Sequence, residues 1–384
     1  MGCDICKNRA VFCCLKSLPA NIRQHWQDIK GTAAEFHFNS DGIAKFLKIR
    51  PDAIVLEPTG YHYSEFLNKV CIAERIQVFW VNHRQIRHYR EGHRLPNKND
   101  FADSYALACY FLENRDIPEA FLHFYPGNSR RLRELSLQLH SLNRMQSPMI
   151  NRIRQQLAIE FPEVALIDSA PGVDQVSPLW GWLAEEPISP LANSIYSNKW
   201  NSSIAPKYGE FISPFTRGVA KSLCHLQRLQ VELENQLLLL LDSEEFAPYV
   251  QVLSQFGLGT RTQSLIISQI YPVDRFPSIS QFKRRLGVAG EENSSGDKKV
   301  YRTSGGSKIC RSQLYLWALT RIAPRKARPN TEIGQKIGTY YDSQREKYYR
   351  GRLPGDDHGS GNLIIMKSVG YAIKLLWREL NPLK

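Results

Sequence analysis

Between residues 129 and 161, Leu132, Leu135, Leu139, Leu142, Gln146, Met149 and Ile153 recur at alternating intervals of three and four. That spacing is the seam of a coiled coil with one polar position. A helix carrying such a stripe has to bury it against another helix, which limits the folds open to the chain. Pro148 is expected to kink it. Residues 216–243 repeat the theme with Leu226, Leu229, Leu233, Leu237 and Leu240. The same spacing suits two core helices of a bundle, and the residues alone leave both arrangements open. Residues 162–215, rich in Pro, Ser, Asn and Trp, read as an irregular excursion that lets the two helices run antiparallel.

Ahead of this pair, the first ~125 residues alternate between strand and helix patterns. Strands are expected at 10–15, 34–38, 53–58 and 77–82, with a short one around Asp4. Helices are expected at 40–49, where Ser40 is the N-cap, and at 63–75 and 103–113. The three leading strands have short links and should be antiparallel, giving an α/β layered domain. Past residue 246, "FGLGTRTQSLIISQI" (256–270) resembles a helix-hairpin-helix turn, with Gly257 and Gly259 letting backbone approach a phosphate. A basic helix (278–290) and helices at 311–323 and 362–380 follow. A chain of 384 residues is too long for one ordinary core. The expected division is an α/β domain over 1–126, coiled-coil helices over 127–245 with the insertion at 162–215, and a mainly α domain over 246–384.

The formal net charge is +13. Between Lys283 and Arg352 there are seventeen Lys or Arg against six Asp or Glu, so this region holds most of the surplus. Tyr301, Tyr315, Trp317, Tyr340, Tyr341, Tyr348 and Tyr349 are interleaved with the charges. Ordinary soluble surfaces mix signs, so a polyphosphate partner is expected here. Arg284, Arg285, Lys298, Lys299, Arg302, Lys308 and Arg311 are the candidate contacts. Arg84 and Arg87 join them, because His83, His88 and His93 among Arg84, Arg87, Arg90 and Arg94 read as a phosphate-facing helix more than a metal site. "DDHG" (356–359) reads as a polar loop.

No run of about 18 apolar residues occurs, so no membrane span is expected. The start of the sequence lacks a charged segment followed by a long apolar core, which argues against a secretory signal. Eight cysteines are scattered. Cys3, Cys6, Cys13 and Cys14 suggest zinc, but adjacent cysteines on a strand point to opposite faces and spoil a tetrahedral site. Reduced, mostly buried thiols in a cytoplasmic protein are the expectation.

Four acids stand at the ends of elements. Asp4 starts the first strand and Glu57 ends the strand at 53–58. Asp100 and Asp103, spaced i,i+3, stack on one face of a helix start. Such acids repel each other without a cation. Hard oxygen donors in this number suit Mg²⁺ or Mn²⁺. Taken singly, each acid has a plainer reading: Asp103 as a helix N-cap, Asp100 as a loop residue, Glu57 as part of a turn.

These residues carry a resemblance. "GCDICKN", "VLEPTGYHYSEF" and "NKNDFADSYALACY" resemble the acidic motifs of the DEDD transposases of insertion-sequence family one hundred and ten, relatives of the Piv invertase. The segment "LSQFGLGTRTQSLIISQIYPVDRFPSISQFKRRLGVAGEENSSGDKK" resembles their second, serine-bearing domain. The resemblance covers nearly the whole chain. It implies an RNase H-like domain similar to the RuvC resolvase, with Asp4, Glu57, Asp100 and Asp103 as catalytic metal ligands for Mg²⁺ (or Mn²⁺). It implies a site-specific DNA recombinase or transposase in which a serine forms a phosphoserine link to DNA. Ser295 is aligned with that serine because it precedes Gly296. As loop composition alone, Ser294-Ser295-Gly296 is ordinary linker material. Glycines on both sides are expected to give the loop the flexibility to dock. A structured bridge RNA that pairs with target and donor DNA, and dimers assembling into tetramers on DNA, are further implications, as is a prokaryotic, nucleoid-associated setting. A RuvC-like nuclease using metal-activated water and a non-catalytic nucleic-acid-binding protein remain the alternatives.

Overall fold

The computed structural model describes residues 1–58, 61–96, 99–122, 127–168, 170–171, 175–295, 298–303, 305–350 and 360–383. For 61–62, 291–295, 298–303 and 360 it describes the backbone alone. The chain forms two compact units, Met1–Tyr125 and Pro126–Lys384.

The first unit runs β1 (Gly2–Ile5), β2 (Arg9–Cys13), α1 (Ile22–Ile29), β3 (Ala34–His37), α2 (Ser40–Ile49), β4 (Ala53–Leu56), α3 (Tyr61–Ala73), β5 (Gln77–Trp80), α4 (His83–Gly92) and α5 (Asp100–Asn114). Its five-stranded sheet has the order β3-β2-β1-β4-β5. The three leading strands pair antiparallel, while β4 lies parallel to β1 and β5 parallel to β4. One expectation needs correction: β2 and β3 are joined by α1, not by a short link. Within α1, Ile22 and Trp26 are buried and Ile29 packs beside them, an i, i+4, i+7 stripe confined to eight residues.

Both faces of the sheet are covered. In β4, Val55 joins a core with Trp26, Ile86, Phe101 and Tyr105, so α1, α4 and α5 lie on that side. Ile54 and Leu56 join a second core with Phe46, Leu67 and Cys71, from α2 and α3. This alternation is the period of two that a pleated strand imposes. It explains why β4 reads as four consecutive buried apolar residues. In β1 a Cβ on Gly2 would collide with the Ser104 carbonyl oxygen, so glycine is what lets α5 lie directly on the strand.

Among its described residues the second unit is helical apart from one hairpin. Its elements are α6 (Asn128–Glu160), α7 (Pro178–Ala184), α8 (Pro190–Asn201), α9 (Pro214–Leu241), α10 (Ala247–Ser254), α11 (Thr260–Ile270), α12 (Ile279–Arg285), β6 (Gly290–Ser295), β7 (Lys298–Thr303), α13 (Lys308–Trp317), α14 (Glu332–Tyr349) and α15 (Ser360–Glu379). α6 stays helical through Pro148. Arg131 near its start donates to Gln236 and Glu160 at its end accepts from the Ser213 backbone N–H, so α9 runs antiparallel to α6. Midway, Gln146 Nε2 donates to Gln230 Oε1 at 3.0 Å, which satisfies the polar position of the seam inside the chain.

Two cores divide this helix pair. Leu132, Leu135, Leu139 and Leu142 pack with Leu226, Leu233 and Leu237 and also with α10 to α15. Ile153, Leu157 and Phe161 pack with Ala220, Leu223 and Cys224, under α7 and α8. The leucine stripes are thus consumed within one molecule and give no argument for a second copy. Among the described residues no helix is long and apolar enough to cross a membrane.

Candidate active site

Asp4 occupies β1 two residues after Gly2, so both face the α5 side of the sheet. β1 and β4 are parallel neighbours with Gly2 opposite Val55 and Cys3 opposite Leu56. Continued by one residue, that register sets Glu57 beside Asp4. On α5 the N-cap is Asn99, whose side chain accepts from the backbone N–H groups of Phe101 and Ala102. Asp100 and Asp103 are therefore released from capping, and the helix N-terminus favours their charge.

The four acids bear on each other electrostatically. The Asp4 carboxyl is pushed up to about 7, first by burial and then by the charges of Asp103, Asp100 and Glu57. Burial pushes Asp103 up to about 6, with Arg90 opposing and Glu57 and Asp100 adding to the rise. Two side chains of α4, Arg90 and His83, sit against this cluster. Arg90 Nε lies 2.7 Å from Asp103 Oδ1 as an ion pair, although the angle is not that of a hydrogen bond. His83 Nδ1 lies 3.0 Å from Glu57 Oε2. Asp100 Oδ2 is 3.7 Å from both Arg9 Nη2 and the Cys6 Sγ that donates to it.

The donor set, four carboxylates that repel one another, fits a hard divalent cation. As they stand, the described residues bring no three His, Cys, Asp or Glu side chains into a metal-holding group. Sequence reasoning missed the roles of His83 and Arg90, which it assigned to a phosphate-facing helix. They are seven residues apart, hence on one face of α4, and that spacing was available as a signal. Arg84 and Arg87 are exposed, and Arg87 Nε bonds Glu91 Oε1 at 2.8 Å. All eight cysteines are free, and Cys3 and Cys13 enter different cores.

The serine segment lies in the second unit and is not an open loop. β6 and β7 form an antiparallel hairpin in which Ser294 pairs with Lys299 and Ser295 with Lys298. The available sequence signal was the dipeptide Gly296-Asp297, a type common in hairpins; those two residues lie outside the described ones. The base of the hairpin is fixed: the Ser307 N–H donates to the Arg285 carbonyl at 3.1 Å. A Cβ on Gly287 would come 2.6 Å from the Ser307 carbonyl oxygen. Of the glycines that flank the serine, Gly306 likewise packs on backbone, since a Cβ there would collide with the Arg284 carbonyl oxygen, while Gly290 and Gly305 have open space around them. The side chains of Ser295, Lys298, Lys299 and Arg302 lie outside the described residues, as does 356–359.

Of the remaining basic candidates, Arg284 and Lys308 are exposed. Arg285 Nε donates to the Gln269 carbonyl at 3.2 Å, and burial, with Arg275 and Arg133 nearby, lowers its pKa to about 10. Arg311 Nη1 donates to the Gly287 carbonyl at 3.1 Å. Both arginines therefore also hold the backbone beneath the hairpin. The interleaved aromatic residues do not form one surface: Trp317 is buried and donates to the Phe256 carbonyl, and Tyr340 stacks on Tyr371 at 4.3 Å. Gly257 lies against Pro329, so that side of the turn before α11 is closed by protein.

A DEDD transposase family model of the IS110 type matches residues 1–162. A model described as transposase, IS116/IS110/IS902 family, matches residues 251–332. No curated protein matches the chain.

Proposed function

We propose, on the ground that this chain belongs to the IS110 family of transposases, that it cuts and rejoins DNA through a covalent bond to Ser295. The family makes the protein a DNA transposase, and a DEDD domain points to use of a divalent metal. In our reading the sheet order β3-β2-β1-β4-β5, antiparallel then parallel, supports an RNase H-like first unit. Asp4, Glu57, Asp100 and Asp103 would hold Mg²⁺ or Mn²⁺, which when bound polarises a DNA phosphate. Arg90 and His83 then have a second role: they screen Asp103 and Glu57 and fix how these carboxylates are presented.

The chemistry of the serine follows from its weakness as a free nucleophile. As the Ser295 hydroxyl proton leaves, Oγ bonds to phosphorus and one P–O bond of the DNA breaks. The departing oxygen takes up a proton and becomes a strand-end hydroxyl. Attack by a hydroxyl of the partner strand reverses these steps and restores the serine, so no external energy source is required. The hairpin suits this task because its base is fastened to the helical core while Ser295 stands at the end of β6. A bridge RNA that pairs with target and donor DNA, and dimers or tetramers on DNA, complete the reading. The basic composition of 283–352 supports nucleic-acid partners in general.

The observation that carries the proposal is the acid cluster: the register of β1 and β4 brings Glu57 alongside Asp4, and Asp100 and Asp103 stand in the first turn of α5, which packs on β1. The test is a trapped reaction. Protein with its co-purifying RNA and Mg²⁺ is mixed with labelled DNA carrying the element's ends, then denatured. A protein–DNA adduct is expected with the unaltered protein and with Ser294→Ala, and none with Ser295→Ala. Cleavage that persists in Ser295→Ala without any adduct would show water, not serine, to be the nucleophile.

A further inference from the structure

A pocket of about 80 Å³ opens between α6, α11 and α13 of the second unit. Its floor is made by the buried Ser136 and Ser264, whose hydroxyl oxygens lie 3.2 Å apart. Those hydroxyls are already satisfied, by the carbonyls of Leu132 and Arg261. Leu139, Leu265 and Ile309 supply apolar walls. Around them stand the side chains of His140, Asn143 and Gln313. These three have no hydrogen-bond partner among the described residues. Arg261 also lines the pocket, but it is ion-paired with Glu234.

We propose that this pocket receives one unstacked pyrimidine base from a nucleic-acid strand. The volume holds on the order of six water-sized groups, the size of a pyrimidine ring with its substituents. The lining selects the chemistry. A phosphate would need uncompensated positive charge, and the one guanidinium is neutralised by Glu234. What remains is two amides and an imidazole, each offering a donor or an acceptor, between aliphatic walls. That is a complement to a neutral, planar ring with alternating donors and acceptors on its edge. Taking a base out of a stack costs a few kcal/mol, so occupancy is favoured where strands are already unpaired. The inference rests on the strand-exchange reading, since exchange supplies such unpaired bases. DNA and RNA offer the same edge, so the source is decided by experiment.

The experiment needs no catalysis, and so it separates failure of this pocket from failure of the proposed reaction. Full-length protein is irradiated with single-stranded oligonucleotides bearing 5-iodouracil, one set deoxyribose and one ribose, and cross-linked peptides are mapped. The expected adduct lies within 136–143, with His140 the acceptor. Adducts from the deoxyribose set identify DNA as the source, and adducts from the ribose set identify RNA. Asn143→Leu and Gln313→Leu, both on solvent-accessible side chains, should each weaken binding of a base-bearing strand by about 3- to 10-fold, as loss of one hydrogen bond predicts. Binding of a strand abasic at that position should not change. Cross-links that map elsewhere, or variants that weaken both strands equally, would overturn the proposal.

Discussion

Asp4, a proposed metal ligand, shows how the charge state of a single residue bears on stability. Its folded-state pKa lies above the ordinary value of 3.8, so the metal-free protein holds an extra proton on folding. The stability from that proton is complete below the ordinary value and is lost as pH rises through about 7. The melting temperature of metal-free protein should therefore fall across this window, and Asp4→Asn, which cannot ionise, should fall less. We expect the difference at pH 8 to reach about 1–3 kcal/mol in favour of the variant. Added Mg²⁺ should raise the melting temperature of the unaltered protein more at pH 8 than at pH 5, and that of the variant little. A difference between the two proteins that does not vary with pH would remove the claim. Four separate acids were readable from the sequence because each was expected at an element end; the structure sets Asp4 inside β1 instead, and Asp100 and Asp103 in the first turn of α5. His83 and Arg90 were read only as basic residues, because their partners lie on other elements.

Among the elements, the antiparallel α6–α9 pair depends on one polar contact in an apolar seam. Gln146 and Gln230 are both buried and bond each other. Gln146→Leu alone would strand the Gln230 amide, and we expect a loss of about 1–3 kcal/mol in denaturant unfolding. Changing both to Leu should recover most of that loss, since two apolar groups replace two satisfied ones. If the double variant is no better than the single, the pair does not act as a unit. Periodicity revealed both helices because their stripes are long. It missed α1, whose stripe of Ile22, Trp26 and Ile29 spans only eight residues, and it read β6–β7 as a loop because Gly290–Thr303 is polar apart from Val300 and Tyr301. Only the pairing of Ser295 with Lys298 shows the segment to be strand.

At the scale of the whole molecule, charge sets the behaviour toward nucleic acid. The surplus of Lys and Arg in 283–352 should make binding steeply dependent on salt, with log Kd rising against log salt with a slope of about 5 or more. Replacing Lys298 and Lys299 together by Ala should lower that slope by about 2, as measured by fluorescence anisotropy across 50–300 mM salt. An unchanged slope would place those lysines away from the phosphates.

The sequence by itself determined the alternation of the first unit, the two long helices and the positive region, and it marked the acids and the serine as candidates. Each of these is local, written in spacing or composition within one element. The tertiary structure alone decided that β1 and β4 pair in the register that brings Glu57 alongside Asp4, that α4 sets Arg90 and His83 against two of the acids, and that the leucine seams close on themselves. Contacts between residues remote in sequence depend on which strands pair and which faces are covered. A one-dimensional pattern records which side chains seek burial, but not what they will be buried against.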